Sequence, residues 1–460
     1  MAKPKTQYVC QQCGKISIKP MGRCPQCNAW NSMVEEVLTP KKSGRKSGAV
    51  GAASKPHRLT EIEGIQDDLI PLAMNEFARV LGGGIIPGSV VLIGGDPGIG
   101  KSTLLLQTAA LTAANGKVLY VSGEESARQV KGRVLRVLPE KGIPEEFYLL
   151  TETNLEAILA QIESMSPLLV VVDSIQSIYS SDISSSAGSL SQVRECASRL
   201  HALAKTSDIA TFIVGHVTKE GSIAGPKVLE HIVDTVLYLE GDSFHAYRLL
   251  RSVKNRFGAT TEVGVFEMQS GGMVEVENPS EIFLAERMVN APGSTIVVTM
   301  EGTRPLVVEI QGLTSATSFG HPRRTANGVD YNRLLLTIAV LTRRVGLKLA
   351  DQDVFVNVVG GLRVQEPAAD LAVAAAVASS MRDLALPANL ALIGEIGLSG
   401  ELRTVPQLDA RLKEAAKLGF KRVLVPKRVR TMEKTPAGLE IIPARSVREA
   451  LEIAFGNLST

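Results

Sequence analysis

The segment Gly94-Gly95-Asp96-Pro97-Gly98-Ile99-Gly100-Lys101-Ser102-Thr103 has the residue types needed to hold phosphate. From Gly95 to Ser102 it reads G-x-x-x-x-G-K-S. In that spacing, glycines let backbone N–H groups curl around phosphate oxygens. Gly95, Asp96, Pro97, Gly98, Ile99, Gly100, Lys101, Ser102 and Thr103 are therefore the expected ATP-binding residues. Lys101 would reach the β- and γ-phosphates, and the Ser102 hydroxyl would bind Mg²⁺. About 70 residues later, Leu168-Leu169-Val170-Val171-Val172-Asp173 is an apolar run ending in an acid. Asp173 is expected beside the loop, holding Mg²⁺ through its water shell. Hydrolysis also needs a carboxylate to polarise water. Gly123-Glu124-Glu125-Ser126 supplies two, at the end of a strand expected next to the glycine loop. Glu124 is the first choice as general base and Glu125 the second, the other one capping the following helix. His216 is placed to sense phosphate, unless it is a surface histidine.

Four cysteines offer a second chemistry. Cys10, Cys13, Cys24 and Cys27 form C-x2-C-x10-C-x2-C within 18 residues. Each pair can pinch one ion, and two pairs complete a tetrahedron of thiolates suited to Zn²⁺. Disulfide or redox pairing is the competing account, and it belongs to another kind of compartment. So small a module owns no core, so metal binding would drive its folding. Modules of this kind bind DNA, RNA or protein, and the pattern does not say which. Cys196 stands alone in an apparent helix and is expected in the core. Lys254 and Arg256 alternate with Asn255 in Arg251-Ser252-Val253-Lys254-Asn255-Arg256-Phe257-Gly258, so both cations point the same way. They either stabilise transition-state charge on a neighbour's ATP or lie on a solvated turn.

The elements that must position these groups follow from pattern. Ser89 to Ile93, before the glycine loop, has the length and apolarity of a buried strand. Thr103 to Ala114, after it, is rich in Leu and Ala, as a helix would be. Between 61 and 277 strands and helices alternate, which predicts a parallel sheet covered on both faces, extended by hairpins after Thr235. Residues 1–35 are the cysteine module, 36–60 a basic linker, and 278–460 a second α/β domain. The chain carries 50 basic and 47 acidic residues, a balance of +3 that implies no polyanion binding by itself. Its apolar runs are too short to span a bilayer and its N-terminus lacks a signal-peptide core, so a cytoplasmic location with no membrane partner is expected.

The four-cysteine module, Leu81-Gly82-Gly83-Gly84-Ile85-Ile86-Pro87-Gly88 leading into the phosphate loop, and Lys254-Asn255-Arg256-Phe257-Gly258 together give a resemblance over the whole chain. The chain resembles the bacterial RadA (Sms) family of DNA-repair proteins, which is distinct from the archaeal recombinase of that name. The resemblance implies a central domain similar to RecA and to DnaB-type helicases. It implies hexameric rings with ATP between subunits, single-stranded and branched DNA as ligand, and work in recombination alongside a RecA-type recombinase. It also implies that Lys254 and Arg256 act in trans, and that the loops Ser180 to Ser189 and Lys219 to Lys227, small-residue and mobile, face DNA.

The second block resembles the proteolytic domain of the Lon protease, through Val354 to Val377 and Gly394 to Pro426. Lon uses a Ser–Lys pair. Here the serine position is Ala368, and the lysine position is read as Asp409, so covalent peptide cleavage is not available. The domain then serves oligomerisation and DNA binding, with Arg323, Arg324, Arg343, Arg344 and Lys348 as its basic surface or simply a solvated face. The functional expectation is an ATP hydrolase and DNA helicase that migrates recombination branches. The alternatives are an ATP-dependent protease, disfavoured by the missing pair, and a non-motor ATP-switch ring that recruits partners.

Overall fold

The computed structural model describes residues 5–10, 15–26, 28, 30, 32–38, 58, 69–138, 142–215, 229–241, 247–285, 287–318, 320–427 and 436–456. The chain divides into two compact units, 1–275 and 276–460.

In the first unit, β1 (Lys5–Cys10), β2 (Ile16–Ser17) and β3 (Met33–Leu38) form a small antiparallel sheet in the order β2-β1-β3. The main body is a nine-stranded sheet. Its strands are β4 (Val90–Gly95), β5 (Val118–Ser122), β6 (Phe147–Leu150), β7 (Leu169–Asp173), β8 (Ala210–Val214), β9 (Thr235–Gly241), β10 (Tyr247–Asn255), β11 (Val263–Gln269) and β12 (Gly272–Glu275). They run in the order β12-β11-β10-β9-β4-β8-β7-β5-β6. From β9 to β6 all neighbours are parallel, and β10 to β12 extend the sheet as antiparallel hairpins. All six positions of β4 are buried, as expected for a parallel strand covered on both faces. The strand's two-residue period splits its side chains between two cores. Val91 and Ile93 join Phe77, Leu105 and Phe212 on one face, and Val90 and Leu92 join Ile158, Val193 and Leu200 on the other. The helices α1 (Asn75–Leu81), α2 (Lys101–Thr112), α3 (Ala127–Val137), α4 (Leu155–Met165) and α5 (Leu190–Ser207) complete the unit among the described residues.

In the second unit, β13 (Ser294–Glu301), β14 (Arg304–Ala316), β15 (Arg324–Asn327) and β16 (Gln352–Val358) form a sheet in the order β13-β14-β16-β15, with only β15–β16 parallel. A Cβ on Gly312 of β14 would meet the backbone of Ala376 at 2.8 Å, so this glycine lets the buried, alanine-rich helix Asp370–Arg382 lie directly on the sheet. A second, parallel sheet joins Leu390–Leu392, Arg422–Pro426 and Glu440–Ala444. The helix that starts at Tyr331 is α-helical to Val340. It closes as a π turn over Leu341–Val345, stopped by Gly346 at φ 90°. Among the described residues no helix is long and apolar enough to cross a membrane.

Candidate functional site

The glycine loop joins β4 to α2. Gly95, Gly98 and Gly100 all take positive φ. A Cβ on Gly95 would lie 2.5 Å from the Leu239 carbonyl oxygen of β9, so no larger residue fits. Lys101 is only 3% exposed, and its ammonium folds back to donate to the carbonyls of Gly95 and Asp96, each at 2.9 Å. Burial lowers its pKa, while the charges of Asp173, Asp96 and Glu124 oppose that shift. The first turn of α2 holds no acid, so the positive helix end is not neutralised by its own residues. The Ser102 and Thr103 hydroxyls take no hydrogen bond among the described residues, while Ile99 N donates to Asp96 O at 3.3 Å. The backbone amides, the ammonium and the Ser102 hydroxyl form a donor set that fits a nucleotide phosphate with its Mg²⁺.

The acids sit at the tips of β5 and β7, which pair with Ser122 opposite Asp173. Contrary to expectation, β5 is not next to the loop strand, because β8 and β7 intervene. Two strand spacings, about 10 Å, thus separate the tips of β4 and β7. Asp173 is half-buried, and Tyr120 of β5 donates to its Oδ2 at 2.5 Å. Among the described residues nothing hydrogen-bonds to its other oxygen. Burial, then the adjacent Asp173 charge, raise the Tyr120 phenol well above 10, so it stays a donor. Ser174, buried, donates to Glu124. Tyr120 therefore reaches from β5 to the acid of β7, and Ser174 reaches from beyond β7 to the acid beyond β5. Glu125 faces Arg133 of α3 instead, at 2.5 Å. Neither glutamate caps α3. That role falls to Ser126, whose N–H and hydroxyl both donate to Gln129 Oε1, at 2.9 and 2.8 Å. The cap, Tyr120 and Ser174 were missed by sequence reasoning. Only the Ser-x-x-Gln spacing gave any signal.

Lys254 and Arg256 lie elsewhere. Thr235 of β9 pairs with Asn255 on one side and with Val91 of β4 on the other, whereas Leu239 pairs with Gly95. The pair of cations is thus at the start of β4, and the phosphate loop is at its end. A register shift between Ser252 and Lys254 sets their direction. Lys254 donates to the carbonyls of Glu230 and Val233, at 2.6 and 2.7 Å. Arg256 donates to the buried Asp234 at 3.1 Å, a carboxylate that also receives Lys205 at 2.9 Å and the Val90 N–H at 3.0 Å. Burial would raise the Asp234 pKa, but the Lys205 and Val90 hydrogen bonds reverse this and hold it below the usual range.

In the cysteine module, Cys10 and Cys24 are buried. Cys10 N–H donates to Lys15 O and Asn28 N–H to Cys24 O, each at 2.9 Å, closing a turn around each Cys-x-x-Cys pair. Asn28 adopts φ 61°. Cys10 Sγ lies 3.2 Å from Ser32 Oγ. These turns and the nearby hydroxyl fit a thiolate-bound ion. Cys13, Cys27, His216 and the loop Lys219 to Lys227 lie outside the described residues. Cys196 is a core residue as expected, with burial pushing its thiol up to about 12.

Three expectations need correction. The loop Ser180 to Ser189 is not slack: buried Gln192 donates to the carbonyls of Ser180, Ile183 and Ser185, and Arg199 pairs with Glu156, which accepts from Ser180. It also carries no cation, only Asp182, which leaves it without the charge to grip phosphate. Asp409 is exposed, and the side chain that reaches the Ala368 segment is Arg411. Arg411 is fully buried and donates to both oxygens of Glu366, at 2.7 and 2.6 Å. Of the expected basic surface, Arg324 donates to the carbonyls of Arg323, Leu349 and Gln352, while Arg323, Arg343, Arg344 and Lys348 are exposed.

Comparison with known proteins matches residues 8–35 to a rubredoxin metal binding domain, 69–222 to an AAA domain, and 329–429 to subunit ChlI of Mg-chelatase. The chain thus combines a zinc ribbon, an AAA/RecA-like P-loop domain with a parallel sheet, and a ChlI/Lon-like domain. It is 54% identical to DNA repair protein RadA of Listeria monocytogenes over 455 residues, covering 99% of both chains. It is 53% identical to DNA repair protein RadA of Bacillus subtilis, covering 99% of this chain and 100% of that one. A KaiC-like protein of Pyrococcus horikoshii matches 45% of this chain and 98% of its own at 19% identity, with a TM-score of 0.36.

Proposed function

This chain belongs to the family of the DNA repair protein RadA, and from that membership we propose an ATP hydrolase that works as a motor on single-stranded DNA in recombination and repair. The observation that carries the motor reading is the placement of Lys254 and Arg256 at the opposite end of β4 from the phosphate loop. Six residues of strand put roughly 16 Å between them and their own chain's nucleotide. They serve catalysis only at a neighbour's site, which requires copies joined head to tail, as in a closed ring. A hexamer fits this reading.

In each site Gly95 to Thr103 wrap the phosphates, and Lys101 exchanges its two carbonyl partners for phosphate oxygens. Ser102 and Asp173 would hold Mg²⁺, whose charge would offset that of the phosphates. Glu124 orients the attacking water and accepts its proton, since Glu125 is engaged by Arg133. Lys254 and Arg256 stabilise charge across the subunit interface. Cys10, Cys13, Cys24 and Cys27 hold Zn²⁺ in the module spanning 1–35, followed by the linker 36–60, the ATPase domain 61–277 and the Lon-like domain 278–460. That last domain does not cleave peptides: Ala368 has no nucleophile, and Arg411, donating to both oxygens of Glu366, offers no base. A RecA-type recombinase as partner and a cytoplasmic location complete the proposal.

The test is ATP-dependent unwinding of forked DNA. The wild-type protein unwinds, and both Lys101→Ala and Lys254→Ala fail. Mixing the two variants restores part of the hydrolysis, because a Lys101 site of one subunit meets a Lys254 of the next. No recovery at any ratio, or full activity in a monomer, overturns the shared site.

A further inference from the structure

We propose that the zinc module is itself a contact for single-stranded nucleic acid, with Trp30 as a stacking platform for an unpaired base and Arg23 beside it. The indole is 71% exposed and is the chain's single tryptophan. Its position is fixed by the turn around the second cysteine pair. Arg23 and Trp30 form an antiparallel bridge across that turn. Arg23 Nε donates to Asn28 O at 3.1 Å, and the guanidinium carbon stands 5.7 Å from the indole centroid. A cation already lies over the ring, and most of its surface still faces water. On the same module Ile18 is 87% exposed and Met21 42%, so folding leaves apolar surface uncovered here.

Charge selects the occupant. Between the first cysteine pair and Trp30 the chain carries Lys15, Lys19 and Arg23 and no acid, while the nearest acids, Glu35 and Glu36, lie on β3 opposite Tyr8 and Gln7. Four thiolates on one Zn²⁺ would carry two net negative charges, but Cys10 and Cys24 are buried, whereas Lys15, Lys19 and Arg23 are exposed. An apolar protein helix would use the indole and leave charge of one sign unexplained. A nucleic-acid strand uses both, its phosphates meeting the cations and its base the ring. A duplex keeps its base faces inside the stack, whereas a single strand offers them, so the single strand is the partner that fits. This inference takes from the proposed function only that single strands are at hand. The contact needs no nucleotide and lies outside the ATPase domain.

The experiment uses the full-length, zinc-loaded protein without nucleotide, both wild type and Lys101→Ala. Because Trp30 is the only tryptophan, its emission reports on the module alone. A short oligothymidylate is expected to quench it in both proteins. Trp30→Leu should weaken oligothymidylate binding about tenfold, or about 1.4 kcal/mol, with zinc content unchanged, and Trp30→Phe should recover most of the loss. Emission that stays constant while the same oligonucleotide stimulates hydrolysis overturns the proposal. So does emission that responds to a protein partner and not to the oligonucleotide. If quenching occurs but DNA stimulates neither hydrolysis nor unwinding, the motor reading fails and this one stands.

Discussion

Lys101 is 3% exposed at the start of α2, and Arg411 is fully buried in the first turn of the helix Leu408–Lys417. Each is a cation drawn inside near a carboxylate, and each sits where a chemical group would be expected. Their partners differ in kind. Lys101 is held by two backbone carbonyls, with Asp173, Asp96 and Glu124 acting on it by charge. Nothing in that set matches the ammonium one-to-one, so an incoming phosphate can displace the carbonyls. Arg411 is locked bidentate to Glu366 and donates as well to Pro406 O and Val298 O. Glu366 in turn accepts from Thr299 and from Met300 N–H, both at 2.7 Å. A saturated pair of this kind holds structure and leaves no room for a substrate. By whether the polar groups keep open valence, the Lys101 surroundings fit a reactive site and the Arg411 surroundings a structural one.

Truncating the two cations is the harshest test of that difference. Lys101→Ala is expected to lower ATP turnover at least a thousandfold, roughly 4 kcal/mol of transition-state stabilisation, with the fold intact. Arg411→Ala is expected to leave turnover per folded subunit nearly unchanged. It should destabilise the C-terminal unit by roughly 3–5 kcal/mol, by stranding Glu366 unpaired. Denaturant unfolding and steady-state hydrolysis on the same preparations check both. Restoring the hydroxyl with Ala368→Ser should give no peptide hydrolysis, because a guanidinium does not deprotonate near neutrality. Cleavage by that variant would show that the second site keeps open valence after all.

The glutamates sharpen the comparison within the ATPase domain itself. Glu124→Gln is expected to reduce turnover about a hundredfold while nucleotide binding persists. Glu125→Gln should stay within about threefold, since it loses only a partly exposed ion pair with Arg133. An effect between these two is expected from Ser174→Ala, about tenfold in kcat with little change in KM, because the serine acts through Glu124. Equal losses at Glu124 and Glu125 would undo the assignment of the base.

What could be read from sequence follows the range of the forces involved. The phosphate loop, its flanking strand and helix, and the Asp-tipped strand are local patterns and each forms close to its expected span, although β8 lies between the loop strand and the Asp-tipped strand. Placing Glu124 on a strand adjacent to the loop was wrong because strand order depends on crossovers that no local window records. Asp409 lies on the exposed face of its helix and Arg411 on the buried one, a two-residue offset that is invisible without knowing which face is buried. Serines and a glycine suggested slackness in Ser180 to Ser189, but Gln192, one turn into α5, ties the loop through three carbonyls. β15 and the strand Glu440–Ala444 had too little apolar pattern to announce themselves and form by pairing with stronger neighbours.

The mildest perturbation is Tyr120→Phe, which removes one hydroxyl from an otherwise unchanged, buried ring. The phenol holds Oδ2 of Asp173, and the other carboxylate oxygen takes no hydrogen bond among the described residues, as the proposed metal contact needs. Without that donor the carboxylate can rotate, so the expected effect is a few-fold rise in the Mg²⁺ concentration giving half-maximal hydrolysis, with the maximal rate nearly kept. The pH dependence carries a second mark of the same bond. Burial and the Asp173 charge hold the folded-state phenol well above 10, whereas the unfolded chain releases that proton near 10. The native state therefore binds the proton more tightly, so its contribution is complete below about pH 10 and is lost as pH rises beyond it. Tyr120→Phe should flatten that alkaline decline in stability, read by thermal unfolding between neutral and strongly alkaline pH. An unchanged decline together with an unchanged Mg²⁺ requirement would mean that Tyr120 only fills space, and that Asp173 needs no second strand to aim it.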